Sequence, residues 1–402
     1  MKVKISPSKI SGKITAPPSK SMAHRYLICA ALADGESVIK NIAQSEDILA
    51  TIDCLTSLGA EIGLCGDSAT VRGIGQIAAP KGELLCRESG STLRFLMPIC
   101  LSRRGATFSG SERLLSRPLG VYEKLCRERG IAFSNDGKKI NVGGGLCAGN
   151  FSLDGGVSSQ FISGLLFALP TLTSDSKITL TGSIESRPYI DMTMAALASF
   201  GVFAEWTSEN EIFVKGGQKY APADKTVEGD CSNAAFFEAL NAVGGSVFVD
   251  GTDETTVRGD GIYKEYIAAL TSGAPKLSLA DCPDLGPVMF ALAAEKNGAT
   301  FTHTRRLREK ESDRIAAMND ELSKFGAELY ISENEVEVKK AALRAPSTEL
   351  SSHNDHRIAM ALSVLLTKYG GVISGAEAVK KSMPDFFDEL ASLGAEVEIY
   401  DR

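Results

Sequence analysis

Apolar positions three and four apart recur along this chain, each time followed by a glycine and a short alternating tail. Ile48, Ile52 and Leu55 precede Leu58-Gly59-Ala60-Glu61-Ile62, and Val121 and Leu125 precede Arg129-Gly130-Ile131-Ala132-Phe133. Ile190, Met194 and Leu197 precede Phe200-Gly201-Val202-Phe203. Ile315, Met318 and Leu322 precede Phe325-Gly326-Ala327-Glu328-Leu329, and Phe386, Leu390 and Leu393 precede Gly394-Ala395-Glu396-Val397. The spacing is that of one face of an amphipathic helix. The glycine fits a left-handed C-cap, and the tail fits a half-buried strand. A sixth copy, Ile262, Tyr266 and Leu270 before Ser272-Gly273-Ala274-Pro275-Lys276-Leu277, is the weakest because a proline interrupts its tail.

The period of roughly 70 residues exceeds that of solenoid repeats, so each copy reads as a small α/β module. Further helical runs lie between the repeat helices, at Thr92–Leu101, Gln160–Leu172, Ala234–Val243, Leu285–Glu295 and Ile358–Tyr369. Strand-like pieces lie at Lys177–Thr181, Val247–Asp250 and Val336–Lys339. The pattern predicts an α/β protein built by sixfold internal duplication. Turn formers without periodicity collect at Lys215-Gly216-Gly217-Gln218-Lys219-Tyr220-Ala221-Pro222, the expected boundary between halves of three modules each.

Composition narrows the function classes. At 402 residues, with 44% hydrophobic and 23% charged residues, the chain reads as two domains of an ordinary globular protein. A net charge of −7 argues against nucleic-acid binding through bulk charge, and no basic run suggests a membrane surface. Nine cysteines, an odd number without a C-x-x-C pair, read as reduced thiols and not as a disulfide framework or zinc site. Met1-Lys2-Val3-Lys4-Ile5 lacks an apolar signal core, and no stretch has the length of a membrane span. A soluble, cytoplasmic protein is expected.

Against that acidic background, cations gather at predicted helix starts. Pro17-Pro18-Ser19-Lys20-Ser21-Met22-Ala23-His24-Arg25 opens a helix over Met22–Ala33, with Gly35 as its expected C-cap. Unpaired N–H groups and the macrodipole make such a start an anion site, and Ser21 and Arg25 share one face. Ser116-Arg117-Pro118, Ser186-Arg187-Pro188-Tyr189, Glu309-Lys310-Glu311-Ser312-Asp313-Arg314 and Lys380-Lys381-Ser382-Met383-Pro384 repeat the device. Gly155-Gly156-Val157-Ser158-Ser159-Gln160 and Arg87-Glu88-Ser89-Gly90-Ser91-Thr92-Leu93-Arg94 place hydroxyls and glycines at helix starts, without P-loop spacing. Asn354-Asp355-His356-Arg357 precedes another helix; His353 and His356 lack partners at ligand spacing, so no metal is expected. Asp284 and Glu311 are acids beside these cations and could carry protons. Together the motifs predict a site for several negative groups.

These motifs, in this order, resemble the 5-enolpyruvylshikimate-3-phosphate synthase family of enolpyruvyl transferases. The strongest signatures are Pro18-Ser19-Lys20-Ser21 with Arg25, Val157-Ser158-Ser159-Gln160-Phe161, Arg187-Pro188-Tyr189-Ile190-Asp191, Lys310-Glu311-Ser312-Asp313-Arg314 and Asn354-Asp355-His356-Arg357. The resemblance implies two domains of three βαβαββ units each, residues 1–14 with 227–402 and residues 15–226, and an active site in the interdomain cleft. It implies shikimate 3-phosphate contacts at Lys20, Ser21, Arg25, Ser158, Ser159, Gln160, Ser186, Tyr189, Asp284 and Lys310. Phosphoenolpyruvate would meet Lys20, Gly90, Arg117, Gln160, Arg314, Arg357 and Lys381. Asp284 would be the hydroxyl base, with Glu311 and Lys20 protonating carbon. No cofactor, no metal and a monomer are further implications.

Two positions depart from the family pattern. Glu88-Ser89-Gly90-Ser91 stands where Asn-Ala-Gly-Thr is common, adding a negative charge, and Arg306 stands where an asparagine often contacts the shikimate phosphate. The sister family acting on UDP-N-acetylglucosamine usually has a cysteine in the loop before the arginine-proline pair. Ser109 to Ser116 contains none, and Lys20-Ser21 replaces that family's Lys-Asn. A non-catalytic relative would not need both Asp284 and Glu311.

Overall fold

The computed structural model describes residues 1–75, 80–252 and 259–400. They form two compact units, Met1–Pro17 with Glu228–Arg402, and Pro18–Val227. Each unit has its own apolar core.

Pro18–Val227 contains three four-stranded sheets of one design. In the first, Asp34–Lys40 lies between Lys225–Thr226 and Ser68–Ile74, with Glu61–Cys65 outermost. Its first pair is parallel and the next two pairs are antiparallel. The same order joins Leu84–Leu85, Gly105–Ser109, Lys139–Gly143 and Phe133–Asn135. It recurs in Asn150–Asp154, Ser176–Thr181, Glu211–Val214 and Ala204–Ser208. In the other unit the design returns in Lys276–Ser278, Ala299–Thr302, Glu335–Val338 and Leu329–Ile331. It returns again in Leu350–Ser351, Gly371–Ser374, Lys2–Ser6 and Glu396–Tyr400. The sixth module shows only the parallel pair Ser11–Thr15 and Ser246–Asp250 among the described residues.

The shortened module is the copy with Pro275. After five of the repeat helices a glycine takes a positive φ: Gly59 at 112°, Gly130 at 65°, Gly201 at 75°, Gly326 at 95° and Gly394 at 99°. These turn the chain into a hairpin strand. Gly273 instead has φ −179°, ordinary extended backbone, so the chain runs straight from the helix Tyr263–Ser272 into Lys276–Ser278. The expected tail is therefore the opening strand of the next module.

Topology also explains the ends of the first unit. Every parallel pair is bridged in the design by a buried helix. The strand before the helix Lys20–Leu32 is Ser11–Thr15, yet the parallel partner of Asp34–Lys40 is Lys225–Thr226. Ser11–Thr15 pairs instead beside the helix Cys231–Ala242. The chain thus exchanges strands between units at Pro17/Pro18 and at Val227/Glu228. Residues 215–222, the boundary expected from turn formers, are packed inside Pro18–Val227. The Tyr220 hydroxyl donates to Phe167 O, and the Gln218 amide donates to Phe203 O and Lys215 O.

Six helices are apolar on nearly every face and lie buried, as such sequences must. They are Lys20–Leu32, Gly90–Leu101 and Ser159–Ala168 in one unit, and Cys231–Ala242, Gly286–Glu295 and His356–Tyr369 in the other. Gly35 does not cap the first of them: Ala33 ends it in extended conformation, and Gly35 lies within the next strand. The starts of these helices carry the polar groups. Serines cap the first three, Ser19 accepting from Met22 N, Ser89 from Thr92 N and Ser158 from Gln160 N. In the other unit Asp230 accepts from Asn233 N and Asp355 from Arg357 N, while Asp284 sits in the turn Pro283–Leu285 before Gly286. Neutral caps leave positive helix ends available to anions, whereas aspartate caps neutralise them and attract arginines.

Candidate active site

In Pro18–Val227 the helix starts are joined by side chains. Lys20 Nζ lies 2.7 Å from Asp47 Oδ2, and both side chains are largely buried. Arg25 turns inward from the expected anion face. Its Nε donates to Thr193 Oγ1 at 2.8 Å, its Nη2 to Tyr189 O at 3.0 Å and its Nη1 to Ser21 O. The guanidinium also lies 5.1 Å from the Phe95 ring centre. Gln160 bridges the second and third helix starts, accepting from Arg94 Nη1 at 2.8 Å and donating to Ser91 Oγ at 2.9 Å. Arg94 rests on Phe161, 4.8 Å from its ring centre. Such stacking is worth ~1–2 kcal/mol when desolvated and holds a guanidinium without consuming its donors.

Arg117 and Lys381 depart from the helix-start expectation. Arg117 ends the short helix Glu112–Ser116 and precedes Gly120–Glu128 by a turn. Its guanidinium reaches the start of another helix, at Gly90, where a Cβ would lie 2.6 Å from Arg117 Nη1. Lys381 ends the turn of helix Ala376–Lys381, and its Nζ donates to Asn354 O. Arg187 does open a helix, Arg187–Ser199, with Pro188 in its first turn. Ser186 there is left-handed at φ 58° and makes no side-chain cap bond.

In the other unit the charges converge on Asp284. Its Oδ1 accepts from Arg314 Nη1 at 2.8 Å and Lys310 Nζ at 3.1 Å, and its Oδ2 faces Arg357 Nη2 at 3.4 Å. Arg314 is 1% exposed and also binds Asp355 through Nε at 2.9 Å and Glu311 through Nη2 at 2.9 Å. Arg357 donates to Ser232 Oγ at 2.7 Å and Asn233 Oδ1 at 3.2 Å. Burial, the largest influence on Asp284, pushes its carboxyl upward; Lys310, Arg357 and Arg314 outweigh it and hold the group well below the ordinary carboxylate range. Burial lowers Lys310, with Asp284 opposing. Burial would lower Arg314 as well, but Asp355, Glu311 and Asp284 raise it above its ordinary value. Two carboxyl groups, Asp284 and Glu311, thus stand within one cluster of cations, and Asp284 is held ionised.

Sequence patterns missed Asp47, Ser232 and Asn233, and the motif that contains Arg94 gave it no partner. Asp47 has no motif of its own, although Ser45-Glu46-Asp47 marks a helix start. Arg94 follows Gly90 by one helical turn, the same spacing that links Ser21 to Arg25. His353 and His356 serve other ends: His353 Nε2 is 2.8 Å from Glu321 Oε1, and His356 is buried in its helix. Among the described residues no group of three or more His, Cys, Asp or Glu could hold a metal ion. Arg306 Nη2 donates to Ala280 O.

The model of the EPSP synthase family (3-phosphoshikimate 1-carboxyvinyltransferase) matches residues 5–390. The chain belongs to the EPSP synthase family. It is 39% identical over 420 residues to the 3-phosphoshikimate 1-carboxyvinyltransferase of Clostridium kluyveri, covering 98% of both chains. With that of Clostridium beijerinckii it is 40% identical over 425 residues, covering 98% of this chain and 97% of the other. Two structures of EPSP synthase from Acinetobacter baumannii match it with TM-scores of 0.78 and 0.80. Their identities are 24% and 23%, covering 99% and 100% of this chain and 100% of each of those, and they speak for the fold. In each unit the charge cluster sits at the starts of the buried helices that the repeated module provides.

Proposed function

We propose that this chain is a 3-phosphoshikimate 1-carboxyvinyltransferase, moving the enolpyruvyl group of phosphoenolpyruvate to the 5-hydroxyl of shikimate 3-phosphate. The observation that carries this reading is Asp284, an ionised carboxylate set among Lys310, Arg314 and Arg357 with Glu311 on the same arginine. In the addition step Asp284 takes the hydroxyl proton as O5 bonds to C2 of phosphoenolpyruvate, and Glu311 or Lys20 protonates the methylene carbon. Elimination then breaks the C2–O bond to phosphate and returns the methyl proton. Fixed cations stabilise the charge that develops, and orientation of two bound reactants supplies much of the rest.

Shikimate 3-phosphate is assigned to Lys20, Ser21, Arg25, Ser158, Ser159, Gln160, Ser186, Tyr189, Asp284 and Lys310. Phosphoenolpyruvate is assigned to Lys20, Gly90, Arg117, Gln160, Arg314, Arg357 and Lys381. The reading places a monomer in the cytoplasm, in keeping with nine free cysteines. No helix among the described residues is long and apolar enough to cross a membrane.

Mixing the protein with both substrates should release inorganic phosphate. Release with UDP-N-acetylglucosamine but not with shikimate 3-phosphate would overturn the assignment. Gly90→Ala gives a sharper expectation, because the new methyl would collide with Arg117 Nη1 and push the guanidinium aside. The KM for phosphoenolpyruvate should rise by about ten- to a hundredfold, with little change for shikimate 3-phosphate. Steady-state kinetics in both substrates check it.

A further inference from the structure

His24 takes no part in the chemistry assigned above, yet it is fully buried one turn beyond Lys20. Its Nδ1 lies 2.8 Å from Thr51 Oγ1, on the helix Glu46–Ser57. Thr51 Oγ1 lies 2.6 Å from Thr92 Oγ1, and Thr92 donates to Ser89 Oγ at 2.7 Å. Ser89 caps the helix that opens at Gly90. All four side chains are 0% exposed, so a dry chain of three hydrogen bonds ties three helices together.

Each hydroxyl has one proton, which fixes the direction of the chain. With Thr92 donating to Ser89, Thr51 donates to Thr92, and the proton between His24 and Thr51 belongs to Nδ1. Nε2 is then a lone pair, and it is the ring atom without a hydrogen-bond partner among the described residues. Burial first, then the charges of Lys20 and Arg25, hold the ring well below the ordinary histidine range, so it stays neutral. Those two cations lie on its own helix. The other helices turn Thr51, Thr92 and the edge of Phe95 toward it, and Asp47 on the Thr51 helix is already paired with Lys20. Apolar residues of similar shape could fill this space with little loss of stability. A polar chain specifies geometry instead.

We propose that His24 is a positioning residue that, through Thr51 and Thr92, fixes the helix start at Gly90 and the Arg117 guanidinium lying on it relative to Lys20. This rests on the assignment of Lys20, Gly90 and Arg117 to phosphoenolpyruvate. Ser21 and Arg25, assigned to shikimate 3-phosphate, share the helix of His24 and do not depend on the relay.

The test compares His24→Phe, Thr51→Val and His24→Asn with the wild type. Loss of one buried hydrogen bond in His24→Phe, or of two in Thr51→Val, should raise the KM for phosphoenolpyruvate by about tenfold or more, leaving kcat and the other KM within about twofold. His24→Asn, whose amide nitrogen can take the place of Nδ1, should return that KM to within about threefold of wild type. Its pH profile of kcat/KM should superimpose on the wild type from about pH 5.5 to 8.5. Equal rises in both KM values, an unaffected Thr51→Val, or a wild-type ionisation near 6.5 that His24→Asn abolishes would each overturn the proposal. A wild type that fails to convert the substrate pair would instead overturn the functional assignment beneath it.

Discussion

With Asp284 replaced by asparagine, turnover is expected to fall by about 10²–10⁴-fold while both substrates still bind. The amide keeps the shape of the carboxylate and can still accept from Arg314 and Lys310, but it cannot take up a proton. Affinity for phosphoenolpyruvate should rise at the same time. The carboxylate engages Lys310, Arg314 and Arg357, and under the proposed assignment of Arg314 and Arg357 to phosphoenolpyruvate the arriving anion would compete with it for those two cations. The competition also bears on basicity. A carboxyl held low by three cations is a poor proton acceptor until those cations turn to substrate, after which its pKa rises toward the useful range. Calorimetric titration and phosphate release measured on one preparation check both parts. Near-normal turnover, or weaker binding of phosphoenolpyruvate, would remove Asp284 from this role.

The same carboxyl gives an acid-stability signature. Its pKa is depressed in the folded state, so its contribution is fully present above the unfolded value of about 3.9 and is lost as pH falls through the lower folded value. The difference in melting temperature between wild type and Asp284→Asn should therefore narrow only below about pH 4.

The repeats were legible because each module needs the same amphipathic helix and the same left-handed glycine. Gly59, Gly130, Gly201, Gly326 and Gly394 are local requirements of a tight turn, and local requirements show in sequence. The sixth module failed where the rule changed: Pro275 and the extended Gly273 remove the hairpin. The strand exchange at Pro17/Pro18 and Val227/Glu228 could not be read from periodicity, since it concerns which strand pairs with which. Residues 215–222 carry every local sign of a linker but are pinned by Tyr220 and Gln218. At the site, cations beside helix starts were visible, but their partners were not. Asp47 reaches Lys20 from another helix, and Arg117 reaches Gly90 from the end of a short one. Such pairings depend on tertiary packing, which no spacing encodes.

Replacing Arg314 by methionine should destabilise its unit by about 3–5 kcal/mol, because it strands a buried charge. Arg314 and Asp355 are 1% and 0% exposed, and the arginine is the principal cation on that carboxylate. Asp355 would keep its bonds from Ser312 Oγ and Arg357 N, neither of which neutralises it. The corresponding melting transition should fall by about 6–20 °C. Asparagine caps a helix about as well as aspartate, so Asp355→Asn removes the charge without removing the cap. The double variant Arg314→Met/Asp355→Asn should then be more stable than Arg314→Met alone, with a coupling of about 1–3 kcal/mol in a double-mutant cycle. It should nevertheless remain almost inactive, because Asp284 and Glu311 have both lost the cation that holds them together. Additive destabilisation would show that the ion pair is incidental to the fold. Recovery of turnover with recovery of stability would show that Arg314 acts on activity only by keeping the unit folded.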